Sequence, residues 1–159
     1  MLDVHTQEVM QDILARHKDM EGPLLPILHA IQAEFGFIPD DVVQTIADDQ
    51  NITRAEVHGV ITFYHDFRST PAGQHVVKIC RAEACQAVGG NAVSERAFEK
   101  LGVGWHGTTP NGKVTLEPVY CLGLCACGPA AMVDGKVVGR VDAAKLDKLL
   151  SAVQLGAGL

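Results

Sequence analysis

Four of the five cysteines form two close pairs. Cys80 and Cys85 make a C-x4-C, Cys121 and Cys125 make a C-x3-C, and 35 residues lie between the pairs. Thiolates in such an arrangement hold metal. Four of them close around one tetrahedral Zn2+ or grip the two irons of a 2Fe–2S cluster. Zinc sites favour short C-x2-C knuckles, whereas a two-iron cluster presents two separated metal corners and accepts wider bites. The spacing therefore favours 2Fe–2S and leaves structural zinc as its rival. Glycines stand beside both pairs, Gly89 and Gly90 after the first and Gly123 and Gly128 around the second. Lacking a Cβ, they let backbone N–H groups approach sulfur, as a centre built on inorganic sulfide requires.

Other thiol chemistries fit less well. Two disulfides need an oxidising compartment, but MLDVHTQEVM has no basic stretch followed by an apolar one, and a fifth cysteine is left over. A cytoplasmic location with thiols reduced or metal-bound is the expectation. A thiol enzyme of thioredoxin type would carry C-x2-C at the start of a helix, and the sequence has none there. Cys127 lies two residues beyond Cys125, with Pro129 stiffening the backbone after it, and reads as a small buried residue rather than a ligand. The seven histidines show no C-x-H pairing, so a Rieske centre is unsupported. His29 and His58 fall within helical patterns as ordinary residues. Neither a Ser-His-Asp set nor a carboxylate pair emerges by spacing, and no catalytic residue is expected.

One motif misleads. Gly102, Gly104 and Gly107 match G-x-G-x-x-G, the dinucleotide fingerprint. That fingerprint must follow a strand and open a helix, whereas here it follows a helical pattern and runs toward Pro110. Gly102 is better read as a helix C-cap.

The elements that position the cysteines follow from periodicity. Apolar residues recur at helical spacing through the first 67 residues: Val9, Met10, Ile13 and Leu14 after a cap at Thr6, then Leu24, Leu28, Ile31 and Phe35 up to Gly36. Pro23 and Pro26 suit the first turn of that second helix. Pro39-Asp40-Asp41 opens a third helix, with acids placed well against its dipole. Thr53 and Glu56 form a capping box for a fourth, expected to bury Val57, Val60, Ile61 and Tyr64. Residues 68–75 read as a linker. Beyond it the period changes to strands at 76–80, 114–120, 131–133 and 137–141, with Asp134-Gly135 as a type I′ hairpin turn. A helix carrying Val93, Ala97 and Leu101 and a last helix capped by Asp142 complete a β-α-β-β-α order. Both cysteine pairs fall just past strand ends, at one edge of the expected sheet.

Composition bounds the function. The chain has 159 residues with 47% hydrophobic content, enough for a core, and no run of 18 apolar residues. Residues 1–70 hold 12 acids against 4 Lys and Arg, a net of −8, while residues 71–159 hold 7 against 9, a net of +2. That balance argues against nucleic-acid binding, which needs a basic surface. The acidic half is a solvated face or a surface that steers a partner.

Four stretches in order, LLPILHAIQAEFGFIPDDVV, VHGVITFYHDF, KICRAEACQAVGG and VYCLGLCACGPAAMV, resemble the thioredoxin-like 2Fe–2S subunits of NADH dehydrogenases. That family includes the 24-kDa-type subunit of respiratory complex I and relatives in NAD-linked hydrogenases and formate dehydrogenases. CRAEAC and CLGLCACGPA look most like the gamma subunit of soluble, molybdenum-containing NAD-dependent formate dehydrogenase. The resemblance implies an α+β chain: an N-terminal helical bundle over residues 1–70 that docks a partner, then a thioredoxin-like 2Fe–2S ferredoxin domain over residues 71–159. It implies ligand roles for Cys80, Cys85, Cys121 and Cys125, and none for Cys127. It further implies a partner subunit holding FMN, a 4Fe–4S cluster and the NADH site, with formate oxidised on a separate molybdenum subunit. This chain would exchange single electrons with the flavin and convert no substrate itself.

Overall fold

Helical spacing in the first 67 residues becomes four α-helices and a 3-10 turn among the described residues. The structure is a computed structural model and describes residues 4–156. The chain divides into two units, Met1–Pro71 and Ala72–Leu159.

In the first unit, α1 (Val4–His17) is already helical at the first described residue, so Thr6 lies inside the helix instead of capping it. Helix α2 (Leu24–Phe35) begins directly after Pro23 and carries Pro26 in its first turn, where no intrahelical N–H partner is required. It closes at Gly36, which takes φ 79° and donates its N–H to the Gln32 carbonyl at 2.8 Å. Pro39 leads into a 3-10 turn, Asp40–Val42, before α3 (Val43–Gln50). Helix α4 (Arg54–Phe63) starts on the expected capping box: the Thr53 N–H donates to Glu56 Oε2 at 2.8 Å, and the Glu56 N–H donates to Thr53 Oγ1 at 3.2 Å. The expected α4 stripe needs correction. Val57 is fully buried and Val60 and Ile61 only partly, while Tyr64 lies past the helix and is 43% exposed. Ile13, Ile27, Leu28, Ile31, Val42, Ile46 and Val57 form this unit's own core.

The second unit is built on a four-stranded mixed sheet in the order β2-β1-β3-β4. Strand β1 (His75–Cys80) begins one residue earlier than expected, so His75 belongs to the sheet and not to a linker. It pairs in parallel with β2 (Val114–Val119), from His75 opposite Val114 to Cys80 opposite Val119. Parallel neighbours need a long crossover. Here it contains the short α5 (Glu83–Ala87), which the periodicity did not reveal, and α6 (Gly90–Leu101). Strand β3 (Ala131–Val133) runs antiparallel to β1 and turns into β4 (Lys136–Val138) through Asp134 and Gly135. Both turn residues have positive φ, 49° and 83°, as a type I′ turn demands. Strand β4 ends at Val138, short of the expected 141, because the backbone turns at Arg140 with φ 50°. Helix α7 (Ala143–Gln154) then starts with Asp142 Oδ1 accepting the Lys145 N–H at 2.7 Å. Val77, Ile79, Leu116 and Val133 from the sheet meet Val93, Ala97, Leu146 and Leu150 from α6 and α7 in a second, separate core.

The misleading glycine run resolves here. Gly102 closes α6 with φ 67°, and the following residues turn back beside β2, where the His106 N–H donates to the Leu116 carbonyl at 2.7 Å. The next element after this run is β2, not a helix. Among the described residues, no helix is long and apolar enough to cross a membrane.

Each unit buries its own apolar cluster. The fragment Ala72–Leu159 is therefore expected to fold alone and to melt cooperatively in circular dichroism. A fragment without a melting transition would contradict that independence. Leu28→Ala in the full chain, which empties part of the other core, is expected to cost ~2–5 kcal/mol.

Candidate metal centre

Parallel pairing decides where the thiols arrive. Because Cys80 stands opposite Val119, both strands end side by side, and the chain reaches Cys121 two residues later. Two backbone bonds lock that edge: the Cys80 N–H donates to the Ala130 carbonyl at 2.9 Å, and the Arg81 N–H donates to the Val119 carbonyl at 2.7 Å. Cys85 comes back to the same edge on α5, and Cys80, Cys85 and Ala130 form a small buried cluster with Val119, Leu122 and Leu124 around it.

The four thiols meet as two pairs of different character. Cys80 and Cys85 are 2% and 1% exposed and pack together in that cluster. Cys121 and Cys125 are exposed, with their sulfurs 3.9 Å apart. The pairs also feel one another, because Cys125 lies within electrostatic reach of both Cys80 and Cys85. Among the described residues, no three His, Cys, Asp or Glu side chains converge on a single-ion position. One end of the arrangement is thus buried and the other faces solvent.

Backbone geometry fits a sulfide-bearing group. Cys121 takes φ 135°, a region that side-chain-bearing residues rarely occupy, and such strain collects at functional loops. The Gly123 N–H, at φ 73°, donates to Cys121 Sγ at 3.3 Å. A Cβ at Gly128 would stand 3.5 Å from Cys85 Sγ and only 2.9 Å from a Val88 methyl, so this glycine keeps open the space over the buried thiol. A Cβ at Gly90 would come within 2.7 Å of the Cys85 carbonyl oxygen. Gly123 thus turns a backbone donor toward a thiol, and Gly90 and Gly128 allow close packing around Cys85, features compatible with a sulfide-bearing group.

Cys127 follows Cys125 in a 3-10 turn, Cys125–Cys127, and packs on Gly139, where an added Cβ would lie 2.9 Å from its own. It is half-buried and lines a groove that contains none of the four paired thiols.

Without metal, two of the thiols are held toward their protonated form. Burial pushes the Cys85 thiol above its ordinary value, aided by the neighbouring Cys80 thiol. The contact with Cys121 pushes Cys125 in the same direction. A raised folded-state pKa means that the metal-free fold keeps its stability while these thiols are protonated and loses it as pH climbs through the thiol range. Metal loading must displace those protons, so reconstitution is favoured at alkaline pH.

Two outcomes follow. Mass-spectrometric mapping of iodoacetamide adducts on the metal-free chain should show Cys121 and Cys125 modified well before Cys85, whose labelling rises only at alkaline pH. Equal rates at neutral pH would contradict the buried and exposed pairing. Gly90→Ala should force the Cys85 backbone aside at a cost of ~1–3 kcal/mol and lower cluster occupancy, read as visible absorbance per chain. Full occupancy in that variant would contradict the tight fit.

Comparison with known proteins shows the family and the fold. The chain is 34% identical over 131 residues to the NADP-reducing hydrogenase subunit HndA of Solidesulfovibrio fructosivorans, spanning 82% of this chain and 77% of that one. It is 33% identical over 136 residues to a NADH-quinone oxidoreductase subunit of Pseudomonas aeruginosa, spanning 86% and 82%. It is also 36% identical to a NADH-quinone oxidoreductase subunit of Mycobacterium tuberculosis, where the match spans 78% of this chain but 49%, about half, of that longer one. The fold matches a crystal structure of an NAD+-reducing [NiFe]-hydrogenase with TM-score 0.71 and 22% identity, covering 86% of this chain and 23% of that one. Residues 10–154 match the model of the thioredoxin-like [2Fe-2S] ferredoxins, and the chain belongs to that family.

Proposed function

We propose that this chain is an electron-transfer subunit that holds one 2Fe–2S cluster on Cys80, Cys85, Cys121 and Cys125. The observation that carries the reading is the meeting of two thiol pairs at one sheet end, one pair buried and one exposed, in a chain of this family. Bound there, the cluster would accept and release one electron at a time. Cys80 and Cys85 would anchor the inner metal corner away from water. Cys121 and Cys125 would hold the outer corner, where a redox partner can approach. The N–H presented by Gly123 would offset the sulfur charge and so influence the potential.

We place the chain in the cytoplasm within an NAD-dependent formate dehydrogenase complex, exchanging electrons with the FMN of an NADH-binding partner that also holds a 4Fe–4S cluster. A larger partner with the molybdenum cofactor would oxidise formate. Support for that assignment comes from the residues around the thiols, CRAEAC and CLGLCACGPA. A second reading, the corresponding subunit of complex I or of an NAD-linked hydrogenase, is favoured by the names of the relatives themselves. Purifying the chain with its native neighbours separates the two. A co-purifying molybdenum subunit selects formate dehydrogenase, and quinone-reducing or nickel-bearing neighbours select the alternatives. A colourless, zinc-loaded chain would reject both in favour of a zinc-stabilised interaction domain.

Among its described residues, the first unit has no cluster of ligating side chains; its composition is strongly acidic, and we assign it to partner docking. The fragment Ala72–Leu159 should then load a cluster, yet bind the flavin-bearing partner far more weakly than the whole chain.

Serine at any one of Cys80, Cys85, Cys121 or Cys125 should reduce occupancy or change the EPR spectrum of the reduced protein. Cys127→Ser should leave both nearly intact. Loss of the cluster on removing Cys127 but not Cys125 would overturn the ligand assignment.

A further inference from the structure

Next to the loop that carries Cys125 lies an open groove of ≈ 420 Å³, lined by Leu124, Cys127, Val137, Gly139, Arg140 and Lys145. Its floor is apolar, and Val137 is left 51% exposed within it. Its rim is cationic. Arg140 is fixed there by a left-handed backbone, φ 50°, and by its N–H donating to the Cys127 carbonyl. Lys145 reaches over from α7, its Nζ donating to the Gly139 carbonyl at 2.7 Å. The nearest acid in sequence, Asp142, has an oxygen engaged in the cap of α7. An apolar floor with two cationic side chains at its rim, Lys145 held by its bond to Gly139 and Arg140 on a fixed backbone, suits an acidic segment that carries an apolar anchor.

The position of the groove gives this surface its meaning. Leu124 and Cys127 flank Cys125 in the chain, so whatever fills the groove lies beside the loop that carries the exposed, outer pair of thiols, which are not themselves part of its lining. Tyr120, which enters the same loop, is 74% exposed. We propose that this groove receives an acidic, apolar-tipped segment of the redox partner and seats it beside the loop that carries Cys125. The inference rests on the electron-transfer reading above and adds the chemistry of the contact. The anchor would fill the space between Leu124 and Val137, and carboxylates would pair with Arg140 and Lys145. Rim charges of this kind act mainly on association rate and its salt dependence.

The test uses the cluster-loaded full chain and the flavin-bearing subunit that co-purifies with it, identified by its flavin and by mass spectrometry. The double variant Arg140→Glu, Lys145→Glu should associate at least tenfold more weakly at low salt, with a flatter dependence on ionic strength and an unchanged EPR signal. In the unaltered proteins, Cys127 should be alkylated by N-ethylmaleimide in the free chain and protected in the complex. That second measurement stands even if the double variant misfolds. Equal association and equal salt dependence of a well-folded variant, or equal labelling of Cys127 free and bound, would overturn the groove as the contact while leaving the cluster reading intact. A purified assembly with no flavin-bearing subunit would overturn the electron-transfer reading and this surface with it.

Discussion

Parallel pairing of β1 with β2 is the constraint on which the rest depends. The thiol pairs are separated by 35 residues, and a chain of that length has no intrinsic reason to bring them together. Register does it: with Cys80 opposite Val119, both strands end at one edge, and each passes directly into a cysteine-bearing segment. Ligands of open sheets containing parallel strands gather outside the carboxyl ends of those strands for the same reason. The cost is a crossover, which the chain fills with α5 and α6 and covers with the second core. Ala97 and Leu101, in that core and outside the cluster around Cys80 and Cys85, thereby help to fix where the thiols stand.

Two further features turn a gathering of thiols into a directional site. Depth differs between the pairs, buried for Cys80 and Cys85, exposed for Cys121 and Cys125. A one-electron centre must be shielded from water enough to be stable and exposed enough to be reached, and the proposed cluster would have both from this split. Glycine controls the space. Gly90 lets α6 begin against the Cys85 carbonyl, and Gly128 leaves room over its sulfur. Cys121, the first thiol of the outer pair, takes a positive φ that side-chain-bearing residues rarely adopt.

Much of the fold was legible in the sequence because its signals are local. A capping box at Thr53 and Glu56, glycine closures at Gly36 and Gly102, an Asp-Gly hairpin and an Asp142 cap each depend on a few neighbouring residues, and each appears as expected. What escaped was set at longer range. Helix α5 has five residues, too short for a period to show, and it gains its place from Cys85 packing beside Cys80 and Ala130. His75 read as linker because a polar residue at a strand start looks like loop, yet its ring bonds to Asp134 at 2.6 Å across the sheet. Tyr64 matched a helical stripe, but α4 ends one residue before it. At the site, residue types and spacing pointed to the paired thiols. Their split into an inner and an outer pair, and the turning of Cys127 toward Gly139, follow from tertiary packing that no local pattern encodes.

The central claim is that two thiol pairs at the end of a parallel strand pair hold two irons rather than one zinc. Metal and acid-labile sulfide analysis of the chain purified without oxygen, combined with EPR after one-electron reduction, tests it most directly. The account predicts two irons and two sulfides per chain and a spin-one-half signal from the reduced cluster. One zinc per chain, no sulfide and no signal would contradict it.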